Sequence, residues 1–156
     1  MSQKEPYIKQ LVAQNKKARY EYFLEETEEA GLVLTGSEVK SLRSGKGSIM
    51  ESYVDEVGGE LMLLGSHIPE YSNASGFGGH EPLRPRKLLL HKRQMDRFLG
   101  LIRKKGCTIV PLRLYFNKKN LAKLEIAVAT GKKKHDKREA IKERDWDRRK
   151  AKLMRE

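Results

Sequence analysis

The chain has 156 residues, enough for one domain around one core. Its 33 Lys and Arg against 21 Asp and Glu give a net charge of +12, which points to a polyanionic partner, most simply nucleic acid, ahead of an anionic membrane surface. There is no long apolar run and no lipidation signal, the opening MSQKEPYIKQ has no apolar signal segment, and the one cysteine, Cys107, leaves no internal disulfide, so a cytoplasmic protein without a membrane role is expected.

Residues 1–13 read as a loose N-terminal arm and 14–130 as the folded domain. Residues 20–25 are rich in aromatic and apolar side chains and predict a strand. Glu28-Glu29-Ala30-Gly31 predicts a turn with solvated charge, and residues 32–34 a returning strand. Thr35 with Glu38 three residues on makes a capping box. The short helix it starts, 38–43, is expected to bury Val39 and Leu42, to expose Glu38 and Ser41, and to stop at Gly45. Residues 52–55 and 61–64 flank Gly58-Gly59 and predict a hairpin. Residues 72–86 are rich in Gly and Pro and predict a mobile loop, followed by a short strand or helix lead-in at 87–90.

The clearest helix spans 91–105, with Met95, Phe98, Leu99 and Ile102 on one stripe and Gly106 as its stop. Two strands follow, joined at Asn117-Lys118-Lys119-Asn120. In the first, Leu112, Leu114 and Phe116 alternate with Arg113 and Tyr115. In the second, Leu124, Ile126 and Val128 alternate with Lys123, Glu125 and Ala127. Six or seven short strands at hairpin spacing with two helices suit a mainly β fold, a small antiparallel barrel of the oligonucleotide-binding (OB-like) kind with flanking helices. Periodicity alone does not separate that barrel from a small sandwich.

Residues 131–156 form a basic C-terminal tail with twelve Lys and Arg and six Asp and Glu, half of the net charge in one sixth of the chain. Its apolar residues are too few for a core. Asp136 with Glu139 offers a capping box, and Asp145 with Arg149 a weak i,i+4 pair. Such an isolated helix is marginal, so the tail is expected to be disordered when free and helical on an RNA surface.

The search for chemistry finds no enzyme constellation. His67, His80, His91 and His135 have no partner at metal-ligand spacing. Cys107 is better read as a small core residue than as a nucleophile. Gly45-Lys46-Gly47-Ser48 fails as a phosphate loop, because Lys40 and Gly47 stand where that motif needs Gly and Ser or Thr. What remains is basic material at Asn15-Lys16-Lys17, Arg84-Pro85-Arg86-Lys87 and the tail, with Tyr20, Tyr22, Phe77 and Tyr115 as candidates to stack on bases. Composition alone supports a structural ribosomal or general RNA-binding protein equally well.

Four strings narrow this: Asn15-Lys16-Lys17-Ala18 with Tyr22 downstream; Gly36-x-Glu38-Val39-Lys40-Ser41-Leu42-Arg43; Arg84-x-Arg86-Lys87-Leu88-Leu89-Leu90; and Gly131-Lys132-Lys133-x-x-Asp136-Lys137-Arg138. In this order, from about residue 13 to the end, they closely resemble the SmpB (small protein B) family, the bacterial SsrA-binding proteins of trans-translation. The resemblance implies an OB-like barrel that binds the tRNA-like domain of transfer-messenger RNA and enters stalled 70S ribosomes. It implies no catalytic residues, no cofactor and no metal, and an adaptor that works as a monomer. Asn15, Glu29 and Leu89 match positions the family uses for RNA, with Lys123 as a further contact and Lys16, Arg86 and Lys87 as basic neighbours. Lys132, Lys133, Asp136, Lys137 and Arg138 match its decoding-centre segment. Trp146, Leu153 and Met154 match its distal helix in the message channel. Tyr20 departs from the His often found at its position, keeping a stacking ring without titration near neutral pH.

Overall fold

The computed structural model describes residues 7–71, 80–104 and 106–131. The strands are β1 (Gln10–Gln14), β2 (Tyr22–Leu32), β3 (Tyr53–Val57), β4 (Glu60–Leu64), β5 (Arg86–Leu89), β6 (Cys107–Phe116) and β7 (Ala122–Gly131). The helices are α1 (Lys16–Glu21), α2 (Gly36–Arg43) and α3 (Lys92–Arg103). Neighbouring strands run antiparallel in the ring β6–β3–β4–β5–β2–β7, which closes because β7 also pairs with β6. The ring closes over short pairings, since β5 meets β2 only at Gly31 and Leu32 and β3 meets β6 only at Ile109. β6 shares its outer edge between β3, at Ile109, and β1, from Arg113 to Phe116.

Local chemistry sets several of the turns. Gly58 and Gly59 both have positive φ, 59° and 81°, as the two-residue turn between β3 and β4 requires. The β6–β7 hairpin turns at Asn117, whose Oδ1 accepts from the N–H groups of Lys119 and Leu121, with Asn120 in the left-handed region at φ 61°. The box predicted for α2 is present: Thr35 Oγ1 accepts from Glu38 N–H and Glu38 Oε1 from Thr35 N–H. α3 closes one end of the barrel with Phe98 buried and Met95, Leu99 and Ile102 packed against the core.

The barrel interior holds Ala30, Leu42, Val54, Leu63, Leu88, Ile109, Leu114, Leu124, Ile126 and Val128. A second cluster of Ala18, Val110, Leu112, Ala127 and Ala129 packs α1 onto the outside of β6 and β7.

Four expectations need correction. Gln10–Gln14 is a strand paired with β6, so the loose arm expected over 1–13 does not reach residue 13. Residues 28–31 are not a turn: β2 runs unbroken from Tyr22 to Leu32, because β7 pairs along nearly all of it. A register shift between Pro111 and Arg113 reverses the facing of β6, so Leu112 joins the outer cluster rather than Leu114 and Phe116 inside. Glu38 and Ser41, expected at the surface of α2, are 0% and 1% exposed.

Candidate nucleic-acid interface

The strand register assembles one band on the outside of the barrel. Leu89 of β5 faces Gly31 of β2, Gly31 faces Lys123 of β7, Lys123 faces Tyr115 of β6, and Tyr115 faces Leu11 of β1. In the next row Glu29 faces Glu125, Glu125 faces Arg113, and Arg113 faces Gln14. Leu88, Ala30, Leu124 and Leu114 point inward between them, so alternation turns both rows to the outer face of the barrel.

The band carries two shallow grooves. One, of about 480 Å³, is lined by Glu29, Gly31, Leu89, His91, Gln94 and Lys123. Gly31 lets the strands approach: a Cβ there would lie 3.2 Å from the Leu89 Cβ. Leu89 is held at the surface, 52% exposed, and its side chain is an apolar platform rather than core. The other groove, of about 310 Å³, is lined by Asn15, Lys16, Arg19, Arg113 and Glu125. Arg113 donates to both carboxylate oxygens of Glu125, at 3.2 and 2.7 Å, and this pair forms part of the wall of the second groove.

The band thus brings together Asn15, Lys16, Glu29, Leu89 and Lys123, which are scattered over 109 positions in sequence. Their roles differ. Lys16 is an exposed cation and Lys123 a half-buried one. Asn15 is buried and its side chain is occupied: Oδ1 caps α1 by accepting from Ala18 N–H at 3.3 Å, and Nδ2 donates to the Pro111 carbonyl at 3.0 Å. These two bonds fix the amide at the start of α1, the helix that carries Lys16 and Arg19. Glu29 is exposed and accepts the Tyr115 hydroxyl at 2.5 Å. Lys87 is half-buried on β5, two residues from Leu89, with its ammonium 3.0 Å from Glu60.

Arg86 does not belong to the band. It is 0% exposed, and its guanidinium donates to Glu38 Oε2, to the carbonyl and hydroxyl of Ser66, and to the Glu81 and Pro82 carbonyls. These five bonds match its five N–H groups, leaving no donor for a phosphate. A basic run in sequence cannot distinguish this arginine from Lys87 beside it; the inward phase of β5 can. Tyr115, expected to stack, is 0% exposed and presents only its hydroxyl, to Glu29. Tyr20, by contrast, stands 56% exposed on α1. Phe77 and the tail residues Lys132, Lys133, Asp136, Lys137, Arg138, Trp146, Leu153 and Met154 lie outside the described residues.

Sequence reasoning missed the Arg113–Glu125 pair. The signal was partial: Arg113 and Glu125 both fall on the polar phase of their strands, but a turn confined to 117–120 would set Arg113 opposite Leu124, and only because the loop takes in Leu121 does Phe116 face Ala122 and Arg113 face Glu125. Among the described residues no cluster of His, Cys, Asp and Glu suits a metal ion, and no helix is long and apolar enough to cross a membrane.

A family model described as SmpB protein matches residues 12–156. An SsrA-binding protein of Afipia carboxidovorans is 53% identical over 155 residues, 99% of this chain and 98% of its own. One from a Bradyrhizobium strain is 55% identical over 152 residues, 97% and 96% of the two chains. A solved chain from "tmRNA-SmpB: a journey to the center of the bacterial ribosome" is 44% identical, covers 80% of this chain and 85% of its own, and superposes with a TM-score of 0.65. With the barrel, the outer band and these matches together, the chain belongs to the SmpB family.

Proposed function

We propose that this chain is an RNA-binding adaptor. Its barrel binds the tRNA-like domain of transfer-messenger RNA, and the complex enters stalled 70S ribosomes in the cytoplasm. The observation that carries the RNA half of this reading is the outer band, where cations, an exposed apolar platform and a fixed acceptor converge across five strands. The relatives named SsrA-binding protein and the solved chain from the tmRNA–SmpB structure support the same partner.

The chemistry divides the contacts. Lys16, Lys87 and Lys123 answer phosphates, which gives affinity without sequence. Leu89 packs against sugar or base. Glu29 repels phosphate and so takes N–H donors from a base edge. Asn15 holds Lys16 in place. Binding rather than turnover is the activity, and one copy of the chain suffices for it.

The tail, 131–156, is the ribosome-reading element in this proposal. Lys132, Lys133, Asp136, Lys137 and Arg138 meet the decoding centre. Trp146, Leu153 and Met154 follow as a helix in the empty message channel of the small subunit, folding on contact with ribosomal RNA. Ending the chain at Gly131 tests the division of labour: affinity for a tRNA-like transcript is expected to survive, and peptide tagging on stalled ribosomes to be lost. Loss of the RNA affinity itself would refute it.

A further inference from the structure

We propose that Tyr115 is a positioning residue that presets the Glu29 carboxylate as an acceptor for the N–H donors of an RNA base. The proposal rests on the reading of Glu29 as an RNA contact and adds to it what makes that contact selective. Tyr115 stands on β6 opposite Lys123 of β7, and Lys123 stands opposite Gly31 of β2. Its phenol crosses the central strand and donates to Glu29 Oε2 at 2.5 Å.

An exposed glutamate on a strand turns freely about three side-chain bonds, and ordering it on binding opposes affinity. Here the cross-strand neighbour of Glu29 is a second carboxylate, Glu125, which repels it. Two bonds resolve the conflict. Arg113 takes Glu125 with both nitrogens. Tyr115 takes Glu29 by one oxygen, and no other hydrogen bond to Glu29 is found among the described residues. Glu29 also lines the groove that Lys123 and Leu89 line.

The donor is dependable. Tyr115 is fully buried, and that burial, together with the hydrogen bond to Glu29, raises its pKa, so the hydroxyl keeps its proton throughout the working range of pH. A carboxylate so fixed accepts a base edge without first being ordered, and it rejects a phosphate in the same position. The band then has a register: phosphates to the lysines, a donor-bearing base edge to Glu29.

The test uses the full chain and a transcript of the tRNA-like domain. Tyr115→Phe keeps the ring and removes only the hydroxyl. It is expected to weaken binding by up to about tenfold, the scale of ordering one long side chain on binding. The slope of log affinity against log salt should stay unchanged, because no phosphate contact is touched. In a Glu29→Ala background the same change should cost less than twofold, since the group it positions is gone. If Tyr115→Phe costs equally in both backgrounds, or costs nothing where Glu29→Ala does weaken binding, the positioning role is wrong while the RNA contact of Glu29 stands. If Glu29→Ala leaves affinity intact, the contact itself is wrong and the positioning role falls with it.

Discussion

Arg86 Nε lies 2.5 Å from Glu38 Oε2, with both side chains fully buried and the two residues 48 positions apart in the chain. This bond ties α2 to the start of β5, the strand that carries Lys87 and Leu89 to the outer band. Arg84 donates to the other Glu38 oxygen from a half-exposed position, also at 2.5 Å. One carboxylate thus gathers two arginines and the N-cap of its own helix.

Arg86→Ala leaves that buried carboxylate with two of its three partners and its Oε2 with none of them, and is expected to cost about 3–5 kcal/mol in denaturant unfolding. Arg86→Lys should recover little, because an ammonium has three donors where the guanidinium satisfies five acceptors in one plane. The folded fraction of either variant should keep the wild-type salt dependence of RNA binding. A lowered slope would return Arg86 to the phosphate contacts.

Glu38 also makes stability depend on acid. Burial alone would raise its pKa, but hydrogen bonds from Arg84, the Thr35 N–H and Arg86 outweigh burial and hold it at about 2, below the ordinary 4.5. Because the folded value is the lower one, the contribution is complete above pH 4.5 and fades as pH falls toward 2, amounting to roughly 3 kcal/mol in all. Unfolding of wild type and Glu38→Gln, followed from neutral pH downward, should differ by a gap that closes across this window. A gap independent of pH would contradict the assignment.

Lys16→Ala and Lys123→Ala should each weaken RNA binding and lower the salt slope by about one. Leu89→Ala should weaken binding at every salt concentration alike, because an apolar platform releases no counterions. Filter binding across a salt series separates the two behaviours, and a salt-dependent effect of Leu89→Ala would mean that it acts through displaced cations.

Asn15→Ala removes the α1 cap, worth about 1 kcal/mol, and leaves the Pro111 carbonyl without its side-chain donor, for a total near 2 kcal/mol. It should weaken RNA binding as well, through Lys16 and Arg19. Adding Lys16→Ala to it should cost less than Lys16→Ala costs alone. Full additivity of the two in binding measurements would make Asn15 a direct contact instead.

The sequence was informative where a local rule acts on neighbouring residues. Thr35 and Glu38 announced their helix, Gly58-Gly59 its hairpin, and Met95, Phe98, Leu99 and Ile102 the buried stripe of α3. It misled where a long-range partner intervened. Glu28 to Gly31 carries turn-like residues, yet β7 pairs with it and draws it out straight. Leu112, Leu114 and Phe116 alternate faultlessly on paper, yet one register shift in β6 divides them between two clusters.

The sequence by itself determined that the chain is basic, that it has one core built mainly of strands, that half its charge gathers in 131–156, and which family it resembles. These properties are sums over residues or short-range patterns. Only the tertiary structure decided what each charge is for. Arg86 and Lys87 are adjacent and basic, and the pleat of β5 sends one into the protein against Glu38 and the other to the surface. Glu29 and Tyr115 are 86 positions apart, and barrel closure through β7 puts hydroxyl against carboxylate. Strand alternation and register act across the fold, so burial and partnership are settled only when the ring closes.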